Sequence, residues 1–489
     1  MRCASSQCFG PDFSFWCEAA LLTNSSEDLP RWRRWLRAVE FDRAAAYAVA
    51  ARGWPFLAGP VTLLLIAASF SLEAQGWFYT LGSLLALQTL GDLGLSTTLV
   101  HASSHAWSRL ERRPNGRLAG DDEALAEIAG IRRGGYRWYG LIASLFAVGA
   151  GIGGLWFLGQ TPTSISWQGP WLAAVICTAG SLLLTVDLAI LEGCGQVAQV
   201  QRLRLVLAII GNLVVWTGLM TGAQLWVVPI SAAVRVIGEL WLVFGSYRTF
   251  WPLVPATRQV LQPFRWKESV WPLQWRAAVQ SLIVFLAYQL FVPILFRTQG
   301  PAVAGQFGMT WSILVTLQSA AIVWVQTRAS QFGVFVRRQQ YAELDHVFGR
   351  IALSSFVSLV LGVGLVTFGV ALLPILSWIV DSETGIWILS RLKERLLPLG
   401  PTVLLGLGVI AVHLPQCQTL YLRSHLRDPL LWPTIFLNGS MAILAVLGAR
   451  WTGAFGLALA YFAVTAGGVL PVWTMVWLTC RKAWRAERS

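Results

Sequence analysis

Ionisable side chains inside long apolar stretches are the residues of this sequence that could do chemistry. A charge in hydrocarbon is costly, so each such residue needs a partner or a role. Arg235 and Glu239 lie four residues apart, on one face of a helix. Either they form a buried ion pair that holds the helices together, or Arg235 lines a central cavity with Glu239 as a candidate ion-coupling or helix-pairing carboxylate.

Two aspartates in apolar segments are further candidates. Asp92 lies between glycines in Thr89-Leu-Gly-Asp92-Leu-Gly, and Asp187 lies within an uninterrupted apolar run. Each could bind a coupling ion or a proton in a low-dielectric setting. Each could equally cap a helix break at a flanking glycine or pair with an arginine from a loop.

Arg52 and Arg276 occupy similar places in the two halves of the chain. Arg52 precedes Trp54-Pro55, and Arg276 follows Trp271-Pro272. Two guanidinium groups facing one another would bind a phosphate or a uronic acid through paired hydrogen bonds. The alternative is that both side chains extend to the membrane surface, as long cationic side chains commonly do.

The remaining chemistry-bearing residues give weaker signals. His413 in an apolar segment could act as a general base, as in membrane O-acyltransferases, or could be structural. The seven cysteines form no Cys-x-x-Cys pair and no Cys/His group with zinc-ligand spacing. The sequence therefore predicts no metal site, no cofactor and no disulfide framework.

The elements that position these residues follow from composition. Of 489 residues, 55% are apolar and 12% are charged, against about 25% charged in soluble domains. Apolar runs of about 20 residues, long enough to cross a bilayer, recur along the chain. We therefore predict an all-α polytopic membrane protein, which excludes a soluble enzyme and a nucleic-acid binder.

Twelve membrane spans are predicted. In order, they cover about 53–72, 77–101, 138–159, 170–191, 205–224, 226–247, 277–296, 303–326, 351–380, 398–420, 430–448 and 454–478. They are called span 1 to span 12 below. The ninth segment could be one long helix or two short helices broken near Pro374.

The distribution of cations predicts the orientation. The net charge is +13, and Arg and Lys concentrate before span 1 and in alternate connections from there on. Because cytoplasmic segments collect Lys and Arg, we expect both termini to lie in the cytoplasm. The protein itself is expected in the inner (cytoplasmic) membrane of the cell. Residues 1–45 are predicted to form a tail with a basic amphipathic stretch, and residues 481–489 a second basic tail.

Short repeated motifs indicate two halves. Gly76-Trp-Phe78 followed by Ser83-Leu-Leu matches Gly305-Gln-Phe307 followed by Ser312-Ile-Leu. Six spans in each half insert the same way round, which predicts six-helix bundles at 46–250 and 251–480. Like-oriented repeats with a site between them are typical of carriers. A membrane transferase would need a larger extracytoplasmic domain, so we predict a non-enzymatic protein.

Several stretches resemble Wzx-type polysaccharide flippases of the multidrug/oligosaccharidyl-lipid/polysaccharide exporter superfamily. The stretches that carry the resemblance are 73–88, 92–105, 266–276, 299–311 and 328–333. The resemblance implies two six-helix bundles around a V-shaped, water-filled cavity. It also implies translocation of an undecaprenyl-pyrophosphate-linked oligosaccharide for O-antigen, capsule or exopolysaccharide assembly.

The resemblance also suggests roles for residues and partners. The cavity is cationic in this family, so Arg52, Arg235 and Arg276 become candidate substrate-binding residues, with Asp92, Asp187 and Glu239 as candidate coupling sites. Expected partners are the lipid-linked oligosaccharide, membrane lipids and a polysaccharide polymerase, and no nucleic acid. The alternatives are cation-coupled multidrug efflux on the same fold, or a membrane-embedded acyl or glycosyl transferase.

Overall fold

The computed structural model describes residues 43–92, 94–113, 116–251, 271–379, 383–425 and 429–486. The predicted N-terminal tail at 1–45 therefore lies almost wholly outside the described residues. Apart from one two-stranded hairpin, the secondary structure of the described residues is helical. The predicted all-α membrane fold is confirmed.

Most spans are single long helices. In chain order the helices of the spans are Arg43–Ser69 (span 1), Leu72–Leu85 with Leu95–Trp107 (span 2), Asp122–Gly159, Gln168–Gly193, Val197–Met220, Val227–Leu240 (span 6), Trp271–Tyr288 with Phe291–Gln299 (span 7), Pro301–Gln326, Tyr341–Ile379 (span 9), Leu399–Arg423, Leu431–Thr452, and Ala454–Val464 with Leu470–Ala486 (span 12). Two further helices, Ala329–Arg337 and Glu383–Arg395, lie in the connections after spans 8 and 9. The last part of span 6, Trp241–Ser246, is a π-helix. A second π-helical segment, Thr465–Val469, lies between the two α-helices of span 12. Span 9 is one continuous helix that contains Pro374.

Eleven helices among the described residues are long and apolar enough to cross a membrane. Span 2 is the twelfth predicted crossing, and it is not one continuous helix. Its first helix ends at Leu85, short turns Ala86–Gln88 and Thr89–Asp92 follow, and a new helix begins at Leu95. Gly94 lies at this break with a φ of +79°, a left-handed conformation that glycine adopts readily.

The contacts between helices within spans 1 to 6 recur within spans 7 to 12. Span 1 packs on span 5 as span 7 packs on span 11. Spans 3 and 4 pack together as spans 9 and 10 do, and span 6 packs on span 4 as span 12 packs on span 10. The helices therefore form two six-helix bundles of like topology, called the halves below. The exact boundary predicted near residue 250 stays a prediction, because residues 252–270 are not among the described ones.

The two halves meet where span 2 begins and span 7 ends, and this end is called the closed end. The Trp77 and Phe296 rings pack edge to face at 4.9 Å between centroids. Arg297 donates to the Gln160 carbonyl oxygen at 3.4 Å. Because Trp77 and Gln160 belong to the first half and Phe296 and Arg297 to the second, these contacts join the halves.

The opposite end carries an antiparallel hairpin, Leu110–Arg112 paired with Leu118–Gly120, and is called the hairpin end. Its described ion pairs join residues of the same half. Arg109 binds Glu127 at 2.7 Å in the first half, and Arg481 binds Asp345 in the second. The described ion pairs of this end thus brace each half separately, while the halves contact one another at the closed end and where the turn Thr89–Asp92 meets the helix Trp271–Tyr288.

Candidate functional site

A cavity of about 300 Å³ lies between the two halves. Spans 2, 5 and 6 contribute to one wall, and spans 7 and 8 to the other. The residues that line it are Phe78, Tyr79, Gly82, Ser83, Val215, Val227, Val228, Ser231, Gln289, Val292, Gly308, Trp311 and Ser312. Its polar side-chain groups are hydroxyls, the Gln289 amide and the Trp311 indole N–H, and no carboxylate or cation belongs to this lining.

Arg235 lies one helical turn beyond Ser231 on span 6, toward the hairpin end. Val228 and Ser231 line the cavity, and Arg235 follows on the same helical face. The opposite face of the span carries Ile237 and Trp241, which are 66% and 65% exposed and form a lipid-facing stripe. The Arg235 side chain is 57% exposed, so it faces the cleft between the halves.

Glu239 fixes the position of this arginine. The Arg235 Nε atom donates to Glu239 Oε1 at 2.9 Å. Glu239 is 4% exposed, and its second oxygen accepts a hydrogen bond of 2.7 Å from Ser181 Oγ on span 4. The carboxylate is therefore satisfied on the protein side, while the described hydrogen bond of Arg235 uses only its Nε atom. A guanidinium held in this way can bind an anion with its remaining N–H groups.

For the other two predicted cavity cations, the structure describes the helix but not the side chain. Arg52 belongs to the helix Arg43–Ser69, and Arg276 belongs to the helix Trp271–Tyr288. Their side chains lie outside the described residues. Their predicted role in substrate binding stays a prediction.

Asp92 lies at the break in span 2. Its carboxylate accepts hydrogen bonds from the Ser96 backbone nitrogen at 3.0 Å, from Ser96 Oγ at 2.8 Å and from the Tyr139 hydroxyl. This is how a capping residue satisfies the free N–H groups at the start of a helix. The geometry matches the alternative in which Asp92 caps a helix break beside a glycine.

Asp187 is completely buried on span 4. It binds Arg132 Nε at 2.7 Å and accepts a hydrogen bond from the Tyr136 hydroxyl, both on span 3. The Arg132 guanidinium also lies over the Trp251 ring, 4.2 Å from its centroid. The geometry matches the alternative in which Asp187 pairs with an arginine, here one that lies toward the hairpin end.

The closed end contains a polar junction that the sequence did not reveal. Gln75 on span 2 donates to the Gly305 carbonyl at 2.9 Å and to the Arg395 carbonyl at 3.2 Å. Arg395 donates back to Gln75 Oε1 at 3.2 Å and to the Phe70 carbonyl oxygen. Arg395 lies in the connection between the predicted spans 9 and 10, where a solvated side chain is expected, yet it is 1% exposed. The repeated Gly76 and Gly305 beside Gln75 were the one signal that marked this place.

Glycines allow the halves to approach at this junction. A Cβ atom added to Gly305 would lie 2.7 Å from the Gly76 nitrogen, and one added to Gly76 would overlap the Pro301 carbonyl. Because real side chains do not approach a backbone so closely, spans 2 and 8 can cross here only at glycine. Such small-residue crossings bring helix backbones into direct contact.

His413 lies away from the cavity, in a buried contact between spans 9 and 10. Its Nε2 atom is 2.8 Å from Ser355 Oγ, and Ser355 in turn donates to the Ala321 carbonyl at 2.6 Å. The single hydroxyl hydrogen is used on Ala321, so Nε2–H must donate to Ser355. The described contacts of His413 thus tie spans 8, 9 and 10 together.

Comparison with solved structures identifies the fold. The chain is similar to the inward-facing conformation of a multidrug resistance MATE family transporter of the MOP superfamily, with 14% identity and a TM-score of 0.53. That match covers 86% of this chain and 99% of the other. The chain has a MATE-like fold.

A second neighbour shows the same architecture in another state. The outward-facing conformation of a multidrug resistance MATE family transporter of the MOP superfamily matches with 10% identity and a TM-score of 0.52, covering 90% of this chain and 96% of the other. A MATE in complex with MaL6 matches with 13% identity and a TM-score of 0.50, covering 89% and 94%. No protein-family model and no curated protein sequence matches the chain.

Proposed function

We propose that this protein is an alternating-access transporter of the inner membrane that moves a polyprenyl-pyrophosphate-linked oligosaccharide across the bilayer. The product would serve the assembly of a cell-surface polysaccharide: O-antigen, capsule or exopolysaccharide. The observation that carries the proposal is Arg235, whose exposed side chain follows the cavity-lining residues Val228 and Ser231 on the same face of span 6. In this proposal the chain belongs with Wzx-type flippases and acts without an enzymatic step.

The chemistry of the cleft suits such a substrate. Sugars and pyrophosphate cannot cross hydrocarbon unaided, because removing their hydration is costly. Serine hydroxyls and the Gln289 amide of the cavity lining supply hydrogen bonds in place of water. Arg235 supplies the positive charge for the pyrophosphate, and the polyprenyl tail remains in the lipid.

Alternating access follows from the unequal ends of the molecule. The closed end joins the halves, whereas the described ion pairs of the hairpin end stay within one half. We infer that the cleft opens at the hairpin end, which the cation distribution places in the cytoplasm together with both termini. Closing the cleft at the hairpin end and opening the closed end would then release the substrate on the other side, where a polysaccharide polymerase would take it up.

Cation-coupled multidrug efflux is the second candidate function. The structural neighbours that share the fold are multidrug resistance transporters by name. A pump for cationic drugs would be favoured by an acidic group in the cavity. The described cavity lining lacks one, and Glu239 is already bound to Arg235 and Ser181. The charge of the cleft therefore favours an anionic substrate.

Transport by reconstituted protein tests the proposal. Proteoliposomes would be loaded with a fluorescent prenyl-pyrophosphate-linked sugar, and its movement between leaflets would be followed by quenching from outside. We expect Arg235→Ala to lower the rate about 10- to 150-fold, since a hydrogen bond to a charged group contributes about 1.5–3 kcal/mol. Arg235→Lys should keep part of the activity.

Arg137→Ala is the matched control, because Arg137 is exposed on span 3 beside the lipid-facing Leu141. It should leave the rate unchanged. Full transport by Arg235→Ala would remove the cation from the mechanism. Drug resistance conferred on a pump-deficient host, without movement of the lipid-linked sugar, would favour efflux instead.

A further inference from the structure

The helix Glu383–Arg395 follows span 9 and ends at the closed end on a buried arginine. One terminal nitrogen of Arg395 donates to Gln75 Oε1 at 3.2 Å, and the other donates to the Phe70 carbonyl oxygen. Its Nε atom is buried without a hydrogen-bond partner. Arg395 thus belongs to the second half, and its side-chain hydrogen bonds go to the first half.

The acceptors around this cation are neutral. Among the described residues no carboxylate lies within ion-pair distance of it, and the neighbouring Glu394 side chain is exposed and acts on it only through its charge. Burial, and next the positive charge of Arg391, lower the pKa of Arg395 from its ordinary value, and the negative charge of Glu394 offsets only part of this. A buried charge without a paired opposite charge is held at a cost in free energy. An anion that reached this guanidinium would therefore be bound more strongly than a neutral molecule.

The junction lies one helical turn from the cavity. Gln75 precedes the cavity residue Tyr79 by four positions on span 2, and its amide also lies 3.5 Å from the sulfur of Met309. Met309 is next to Gly308, another residue of the cavity lining. One turn of helix is about 5.4 Å. A charged group bound in the cavity can therefore act on Arg395 over a short, weakly screened distance.

We propose that Arg395 determines specificity by coupling the opening of the closed end to the negative charge of the substrate. An anionic head group in the cavity draws the guanidinium from the Phe70 carbonyl and the Gln75 amide, and those hydrogen bonds between the halves are lost. A ligand shifts a conformational equilibrium only by its difference in affinity for the two states. An anion binds more strongly when the closed end is open and Arg395 is released, whereas a neutral or cationic molecule binds both states equally. The inference rests on the proposed function, which brings a pyrophosphate into the cavity.

Distance measurements on the purified protein in lipid nanodiscs test this coupling. Nitroxide labels on Ser164→Cys and Ala302→Cys, with the native cysteines replaced, report the separation of the halves at the closed end, since both positions are exposed there. Farnesyl pyrophosphate is the anionic probe and farnesol is its neutral counterpart. Binding of each probe is measured separately by calorimetry.

We expect farnesyl pyrophosphate to raise the ratio of long to short label distances about 5- to 150-fold, the usual range of coupling between sites. Farnesol should leave the ratio unchanged. Arg395→Gln should still bind farnesyl pyrophosphate through Arg235 but lose the rise in this ratio. Lys393→Gln removes an exposed cation of the same helix and should behave like the native protein.

Arg395→Lys keeps the charge and should keep the response to the anion, so it tests the proposal if Arg395→Gln fails to fold. An unchanged response in Arg395→Gln, a lost response in Arg395→Lys or an equal response to farnesol would each overturn the coupling. If the native protein binds farnesyl pyrophosphate without opening, the coupling fails and the proposed function stands. If it does not bind the probe at all, the proposed function fails, and the inference fails with it.

Discussion

Gly76→Ala is the substitution whose effect follows most directly from the packing of the halves. The added Cβ would overlap the Pro301 carbonyl oxygen and lie 2.5 Å from its carbonyl carbon. Backbone atoms cannot rotate away as a side chain can, so span 8 must move relative to span 2. The closed end should open to make room.

The magnitude comes from two opposing contributions. Inserting a methyl group into a packed interior costs about 1–3 kcal/mol. Alanine in a helix is more favourable than glycine by about 0.5–1 kcal/mol, but this gain is equal in the open and closed states and cancels. The closed-to-open ratio should therefore fall about 5- to 150-fold, since about 1.4 kcal/mol is a factor of ten.

The assay is the label distance between Ser164→Cys and Ala302→Cys, measured without ligand. Gly149→Ala is the matched control, because the added Cβ on span 3 would have no heavy atom within 4 Å. It should leave the distance distribution unchanged. Equal distributions for the two variants would show that spans 2 and 8 do not need a glycine to cross, and would refute the reasoning.

Two further predictions concern the aspartates. Asp187→Asn leaves the Arg132 guanidinium without its carboxylate, and it should lower the free energy of unfolding by about 3 kcal/mol, the lower end for a broken buried ion pair, because Arg132 is 25% exposed. An unchanged thermal midpoint in detergent would contradict this. Asp92→Ala removes a helix cap and should cost about 0.5–2 kcal/mol while transport by the folded fraction persists. Loss of transport with full thermal stability would instead assign Asp92 to ion coupling.

Most of the membrane-spanning helices could be predicted because the hydrophobic signal is local. An apolar run long enough to cross a bilayer forms a helix wherever it stands, since backbone groups must be satisfied within the segment. The break in span 2 was harder to place. It depends on the left-handed conformation at Gly94 and on hydrogen bonds of Asp92 to Ser96 and Tyr139, and the last of these joins residues far apart in the sequence.

Only part of the candidate site could be predicted from the sequence, because its other contacts join residues that are far apart along the chain. The spacing of Arg235 and Glu239 showed that the two side chains can pair within one helix. The third member, Ser181, belongs to span 4, and only the packing of spans 4 and 6 brings it to the carboxylate. The burial of Arg395 could not be predicted, because the distribution of charges along the chain carries no information about how deeply each side chain lies.

The repeated glycines Gly76 and Gly305 are the one sequence feature that points to a contact between the two halves. In two like-oriented halves, most residues lie far from their equivalents in the other half. A residue meets its own equivalent only near the axis that relates the halves. Gly76 and Gly305 are equivalent in the repeated motif, and their backbones are in contact, so spans 2 and 8 lie at that axis. A motif of small residues kept in both halves therefore marks the surface along which the halves separate. The neighbouring Gln75 and Arg395 become candidates for controlling that separation because they lie beside this pair.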